Sequence, residues 1–150
     1  MADFWAPRVT VAAIAEAQGR FLMVEELVDE RLVYNQPAGH LEDNETLYEA
    51  VIRETLEETA WQFEPACITG IYQWTQPQSR QTFMRICFAG QHRQFDAGRK
   101  LDTGIVRTVW LDRQEILARQ DKLRSPLVLA CIDDYLQGRR YPLELLKNVI

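Results

Sequence analysis

From Thr46 to Thr59 the chain reads TLYEAVIRETLEET, and no other stretch narrows the fold as much. Thr46 followed three residues later by Glu49 is a capping box, a reciprocal pairing that satisfies two orphan N–H groups at a helix start. At 100° per residue, Leu47, Ala50 and Val51 make one apolar stripe. The run predicts a helix over Leu47–Thr59 with Thr46 as N-cap and its first turns docked on a core. One turn further the stripe meets Glu54, with Glu58 alongside and Glu57 on its flank. The buried side of the helix start thus becomes three carboxylates at its end.

Two readings of that acidic end compete. Charged helix faces are commonly just solvated. Against this, Glu57 and Glu58 lie in the last turn, where the helix dipole disfavours anions. Glu54 and Glu58 stand at i, i+4 with like charge, which is also unfavourable. Carboxylates that prolong an apolar stripe face the body of the protein, and there they need a cation or a raised proton affinity. Hard oxygen ligands of this kind suit Mg²⁺ or Mn²⁺. Arg53 precedes Glu54 and is placed beside Glu57 and Glu49. Its planar fork either holds a carboxylate in one orientation or makes only a surface ion pair.

The rest of the chain reads as one unit without repeats or linkers, so a single domain over residues 1–150 is expected. Strands are expected at Arg8–Ala15 and Phe21–Leu27, separated by the turn signal Gln18-Gly19. The short apolar piece Leu32–Tyr34 leads into Gln36-Pro37-Ala38-Gly39, which the proline bars from a helix interior. Further strands are expected near Ile68–Thr75, Thr82–Gly90 and Val106–Leu111, with a polar loop from Gln91 to about Asp102. Helices are expected at about Arg113–Arg119 and Pro126–Gln137, where Gly138 is a stop. Pro142 suits the start of a last short helix. Strands first, then interleaved and terminal helices, indicate a layered α/β or α+β fold.

Composition narrows the function classes. With 47% hydrophobic and 26% charged residues the chain has material for a core. No apolar run approaches the roughly 18 residues that span a bilayer, and the N-terminus lacks a secretory pattern. Neither a membrane partner nor a secreted location is expected. Cys67, Cys87 and Cys131 are odd in number and form no CxxC, which fits a reducing cytoplasm. The 22 acidic against 17 basic residues give a net charge of −5. A binder of nucleic-acid polymers needs the opposite balance.

The segment Gly39–Trp61, GHLEDNETLYEAVIRETLEETAW, resembles the Nudix box. That pattern is Gly, five residues, Glu, seven residues, then Arg-Glu-aliphatic-x-Glu-Glu-x-Gly-aliphatic. Gly39, Glu45, Arg53, Glu54, Glu57 and Glu58 fall in register. Thr55 takes the place of an aliphatic residue, Ala60 replaces the last glycine, and Trp61 occupies the final apolar place. Glycine there adopts φ > 0; alanine pays roughly 1 kcal/mol in that conformation, so a shifted helix end is expected. The similarity continues through Asn35–Glu42 (NQPAGHLE), Gln73-Trp74, Leu123–Val128 (LRSPLV) and Gly138–Leu143 (GRRYPL). It covers nearly the whole chain and points to a phosphatase branch of that family.

The resemblance implies a Nudix-type α/β/α sandwich with a mixed sheet and a loop–helix–loop metal site. Glu54, Glu57 and Glu58 would bind Mg²⁺, with Mn²⁺ as a substitute, and one of them would help deprotonate the attacking water. Gly39 would shape the loop before the helix, and Glu45 and Arg53 would brace the carboxylates. The implied reaction is hydrolysis of a small-molecule diphosphate linked to an organic group, with release of phosphate. Nucleoside di- and triphosphates, thiamine diphosphate and hydroxymethylpyrimidine diphosphate are the implied substrates. The alternatives are a general nucleoside triphosphate or nucleotide-sugar pyrophosphohydrolase, and a Nudix-fold module that binds a metabolite without cleaving it. Both a monomer and a homodimer stay open.

Such a substrate also needs protein cations and an aromatic wall. Arg85 is the first candidate, because a charge inside the apolar strand Thr82–Gly90 should be paired or point into a site. Arg124 follows, just before Ser125-Pro126 and a helix start, and then His40, next to Gly39. Trp74 and Tyr34 are candidates for stacking on a heterocycle, whereas Trp5 and Trp110 are assigned to packing. Asp102 is the candidate for one further acid from outside the box, ahead of Glu115.

Overall fold

The computed structural model of the protein describes residues 3–149. Strand β1 (Arg8–Ala17) is the axis of the fold. It runs parallel to β6 (Thr82–Phe95) on one side and antiparallel to the three-residue strand β4 (Ala38–His40) on the other. Beyond β6 lies β5 (Trp61–Thr75), antiparallel to it. At the far end of β1, Gln18 and Gly19 turn the chain with φ of 53° and 79°, the left-handed pair that suits a tight hairpin. The hairpin hands over to β2 (Arg20–Val28), which pairs with β3 (Arg31–Asn35) and β7 (Ile105–Leu111). The seven strands form one mixed sheet.

Val11–Ala15 are all buried, because both faces of β1 are covered. Ala13 and Ala15 on one face, and Ala12 on the other, leave room for helices to approach. Helix α1 (Leu47–Thr59) covers the first face, where Ala50 and Val51 join Val11, Ala13, Ile86 and Phe88. Helices α2 (Arg113–Leu117) and α3 (Leu127–Leu136) cover the second, where Ile116, Val128, Cys131 and Ile132 join Ala12, Ile14 and Cys87. The fold is thus an α/β/α sandwich. Among the described residues no helix is long and apolar enough to cross a membrane.

Three expectations need correction. Strand β5 begins at Trp61 rather than near Ile68, although Pro65 reads as a strand breaker. Pro65 lies at a register shift on the strand that ends the sheet, a place where a missing N–H costs no ladder bond. Strand β6 correspondingly runs to Phe95, so the expected loop from Gln91 begins only after it. Trp5 is 73% exposed and plays no part in the core. Trp110 does pack, edge-on to His92 and Trp61.

The end of α1 also differs from expectation. The helix is not shifted: Ala60 keeps the left-handed conformation (φ 63°, ψ 8°), donates its N–H to Leu56 O and is 2% exposed. The strain of a left-handed alanine, about 1 kcal/mol or more, is offset by its buried methyl, worth about 0.8 kcal/mol, and by a stiffer unfolded chain. Ala60→Gly should therefore move the unfolding free energy by less than about 0.5 kcal/mol, as read by urea denaturation. Thr55 fits its apolar position because its hydroxyl donates to Val51 O at 2.7 Å.

Candidate active site

Helix α1 carries the site. Its capping box forms as the sequence predicts: Thr46 Oγ1 accepts from the Glu49 N–H, and Glu49 Oε1 accepts from the Thr46 N–H. Glu49 is therefore committed to the cap and does not pair with Arg53. Arg53 binds Glu45 with both arms of its fork, Nε to Oε2 at 2.9 Å and Nη2 to Oε1 at 2.7 Å. Its Nη1 donates to Glu54 Oε1 at 2.8 Å and Glu57 Oε2 at 3.2 Å. Nη2 also reaches the His40 carbonyl at 3.0 Å, tying β4 to the helix. Glu45 additionally accepts the Glu42 N–H. The Arg53 guanidinium holds the Glu45 carboxyl below the usual carboxylate range, so this support stays ionised.

Gly39 explains itself through Glu54. A Cβ built on Gly39 would fall inside the Glu54 carboxylate. Glu54, Glu57 and Asp102 each bring a carboxylate oxygen to within 4.8 Å of the other two. Asp102 arrives because its N–H donates to Glu57 O at 3.0 Å, which pins its loop to the last turn of α1. Glu58 lies outside this triple. Its Oε1 accepts the Ala38 N–H at 2.9 Å. Burial pushes the Glu58 carboxyl up to about 9, and the charges of Glu54, Glu26 and Asp102 push the same way. Burial also raises the Glu54 carboxyl, against the pull of Arg53. At about 9 the Glu58 carboxyl holds a proton at neutral pH unless a nearby cation displaces it. Three convergent hard oxygens are the donor set a divalent cation such as Mg²⁺ takes, so the residues fit the group.

A cavity of about 440 Å³ opens beside the cluster, and Glu54, Glu58 and Gly39 form one side of it. His40, Trp74, Arg85 and Arg124 line it, as the sequence suggests. Arg124 is held by Glu26 at 3.4 Å and by its own N–H on Tyr34 O. Burial lowers the His40 pKa, and the positive charges of Arg8 and Arg124 lower it further, so His40 is neutral at physiological pH. Tyr34 is the exception among the candidates. Its hydroxyl donates to Glu25 at 2.9 Å and the Arg119 guanidinium lies over its ring at 5.5 Å, so the side chain is engaged elsewhere and only its carbonyl serves the pocket. Glu115 caps α2 and pairs with Arg20, away from the cluster.

Glu26, Asn35, Gln36 and Phe83, none of them a site candidate from the sequence, also belong to this region. Phe83 stacks on Trp74 across the β5–β6 ladder, centroids 5.9 Å apart and planes at 24°. Strand alternation places Phe83 and Arg85 on one face, but the cross-strand partner is visible only once the register is known.

Comparison with known proteins agrees with this geometry. The family profile of the NUDIX domain matches residues 5–130. The phosphatase NudJ of Escherichia coli (strain K12) is 42% identical over 140 residues, covering 93% of this chain and 90% of that protein. NudJ of Shigella sonnei (strain Ss046) matches to the same extent. A solved NUDIX hydrolase from Nitrosomonas europaea superposes with a TM-score of 0.94 at 48% identity, covering 96% of this chain and 98% of that one. A UDP-X diphosphatase structure shares the fold, with a TM-score of 0.74 at 15% identity over 94% of this chain and 68% of that one.

Proposed function

Since the chain belongs to the Nudix hydrolase family, we propose that it is a NudJ-like phosphatase, a single domain over residues 1–150. It hydrolyses the phosphoanhydride of a diphosphate carried on an organic group and releases phosphate. Nucleoside di- and triphosphates, thiamine diphosphate and hydroxymethylpyrimidine diphosphate are the substrates proposed. The observation that carries this reading is the convergence of Glu54, Glu57 and Asp102 beside a cavity lined by Arg85 and Trp74.

Glu54, Glu57 and Asp102 would hold Mg²⁺ or Mn²⁺, with Glu58 close by. When bound, such a cation neutralises diphosphate oxygens and acidifies water. Arg53 keeps Glu54 and Glu57 oriented, and Glu45 keeps Arg53 in place. Glu58 is the proposed proton acceptor. The Ala38 N–H fixes one of its oxygens, and a cation held by its neighbours would keep it ionised and able to take a proton, against the burial that pushes it up to about 9. As the water oxygen bonds to phosphorus, its proton passes to Glu58, the anhydride P–O bond breaks, and the bridging oxygen leaves with its electron pair. Trp74 and Phe83 offer the organic group a stacking surface.

A phosphate-release screen with Mg²⁺ and without it tests this reading. Its panel holds nucleoside di- and triphosphates, thiamine diphosphate, ADP-ribose and nucleotide sugars. Turnover of ADP-ribose alone would overturn the assignment. Glu45→Gln removes one charge behind Arg53 without touching the cluster. It should raise the Mg²⁺ concentration needed for half-maximal activity about tenfold, the size of effect that outer supports of metal ligands show. An unchanged Mg²⁺ titration of activity would count against the bracing role.

A further inference from the structure

Resting on that hydrolytic reading, we infer that Arg85 is a charged end stop of the pocket. It binds the free terminal phosphate of the substrate, and so favours diphosphates esterified at one end over those esterified at both. Arg85 stands on β6, an inner strand, with Thr10 beside it on β1 and Tyr72 on β5. Its residue is 5% exposed, yet it lines the cavity.

The guanidinium has hydrogen-bond partners and no carboxylate counter-charge; the ionisable groups beside it are the buried Cys131 and Cys87 thiols. Nη1 donates to Gln36 Oε1 at 2.8 Å and Nη2 to Asn35 Oδ1 at 3.2 Å. Both acceptors are neutral. Nε is buried without a partner. Among the described residues Arg85 enters none of the ion pairs, whereas Arg53 and Arg124 are both committed to glutamates. An arginine cannot discharge itself by losing a proton, and a buried charge without an opposite one is costly. The amide oxygens are nonetheless built for it. Gln36 is 1% exposed and its Nε2 donates to Val128 O at 2.8 Å, which turns Oε1 toward Arg85. Asn35 and Gln36 thus act as positioning residues: they aim the cation and leave its charge for an anion.

The order of residues along β6 sets the direction of the substrate. Phe83, stacked on Trp74, is half-buried at the open end of this face. Arg85 comes next, and Cys87 after it is 0% exposed in the core. On β6 the lining of the cavity runs from Phe83 to Arg85 and does not include Cys87. An organic group resting on Trp74 and Phe83 therefore sends its phosphates inward. A molecule with an organic group on both ends of the diphosphate has no free anionic terminus to put there.

The test uses the full chain with Mg²⁺. Calorimetric titration measures imidodiphosphate, a non-hydrolysable pair of phosphates, and ADP-ribose on the parent, Arg85→Met and Arg85→Lys. Kinetics with ADP run beside it. Arg85→Met should weaken imidodiphosphate at least about 30-fold, as loss of charge-assisted hydrogen bonds predicts, and should raise the KM for ADP more than it lowers kcat. Arg85→Lys, which keeps charge without the fork, should weaken imidodiphosphate about tenfold. ADP-ribose binding by the variants should stay within about twofold of the parent or be undetectable throughout. Equal weakening of both ligands, or a parent that does not bind imidodiphosphate, would overturn the inference. If Arg85→Met does not fold, Arg85→Lys decides: parental imidodiphosphate affinity in it overturns the assignment. A parent that binds imidodiphosphate through Arg85 and hydrolyses no diphosphate would remove the proposed chemistry instead.

Discussion

Glu58→Gln should lower kcat by about 10²–10⁴-fold, the range that removal of a positioned general base produces, and should at the same time stabilise the metal-free protein at alkaline pH. The Glu58 carboxyl is pushed up to about 9 in the fold by burial, against an ordinary value of 4.5. Between those two values the folded chain binds a proton that the unfolded chain has lost. Stability therefore falls as pH rises through that window. Glutamine keeps the acceptor for the Ala38 N–H and carries no proton to lose. In EDTA the melting temperature of the variant should exceed that of the parent by a margin that opens from pH 5 toward pH 9. Saturating Mg²⁺ should narrow the margin, because a cation held by Glu54, Glu57 and Asp102 lowers the proton affinity of the nearby Glu58 carboxyl in the parent. A variant that retains parental kcat would remove Glu58 from the proposed chemistry. A margin independent of pH would show that the carboxyl is not perturbed in the fold.

Gly39→Ala should cost at least about 100-fold in kcat/KM while leaving the melting temperature nearly unchanged. The added methyl occupies the place of the Glu54 carboxylate. Gly39 has no positive φ, so alanine brings no backbone penalty. The side chain that must move is flexible at its end, so the fold adapts by swinging Glu54 aside. That swing breaks the Arg53–Glu54 bond and disperses the carboxylate triple. Misplacing a reacting group by about 1 Å can cost about 10²-fold in rate. Phosphate release and a thermal melt on the same preparation read both effects. Full activity in this variant would show that Glu54 does not need its observed position.

What the sequence revealed followed the range of the interaction. Helix α1 was legible from its cap to its acidic end, because those signals are all local, but the left-handed Ala60 that closes it was not. Arg53 and Glu45 were placed by a spacing of eight along one segment. Asp102 was harder. It lies far along the chain from Glu57 and reaches it through one N–H bond that no periodicity announces. Arg85 showed itself as a charge within an apolar strand, but its partners Gln36 and Asn35 are 49 and 50 residues away. Tyr34 was misjudged as a stacking residue because strand alternation alone does not say which neighbour claims an aromatic ring. Pro65 hid the start of β5, since a bulge on a terminal strand tolerates what an inner strand would not.

Strand β4 is only three residues long, yet neighbouring side chains on it serve different ends. Gly39 turns toward Glu54 and α1, while Ala38 and His40 take the opposite pleat with Ala12 and Thr10. The apparatus proposed for bond breaking is thus written in one contiguous stretch, Gly39 to Glu58, with Asp102 as its outlier. The surface proposed to choose the molecule is written elsewhere, on β5, β6 and the approach to α3. Mutations can accumulate in the second set without disturbing the first. A lineage built on this plan can exchange one organic group for another by changing residues such as Trp74 and Phe83, and keep its catalyst intact while it does so.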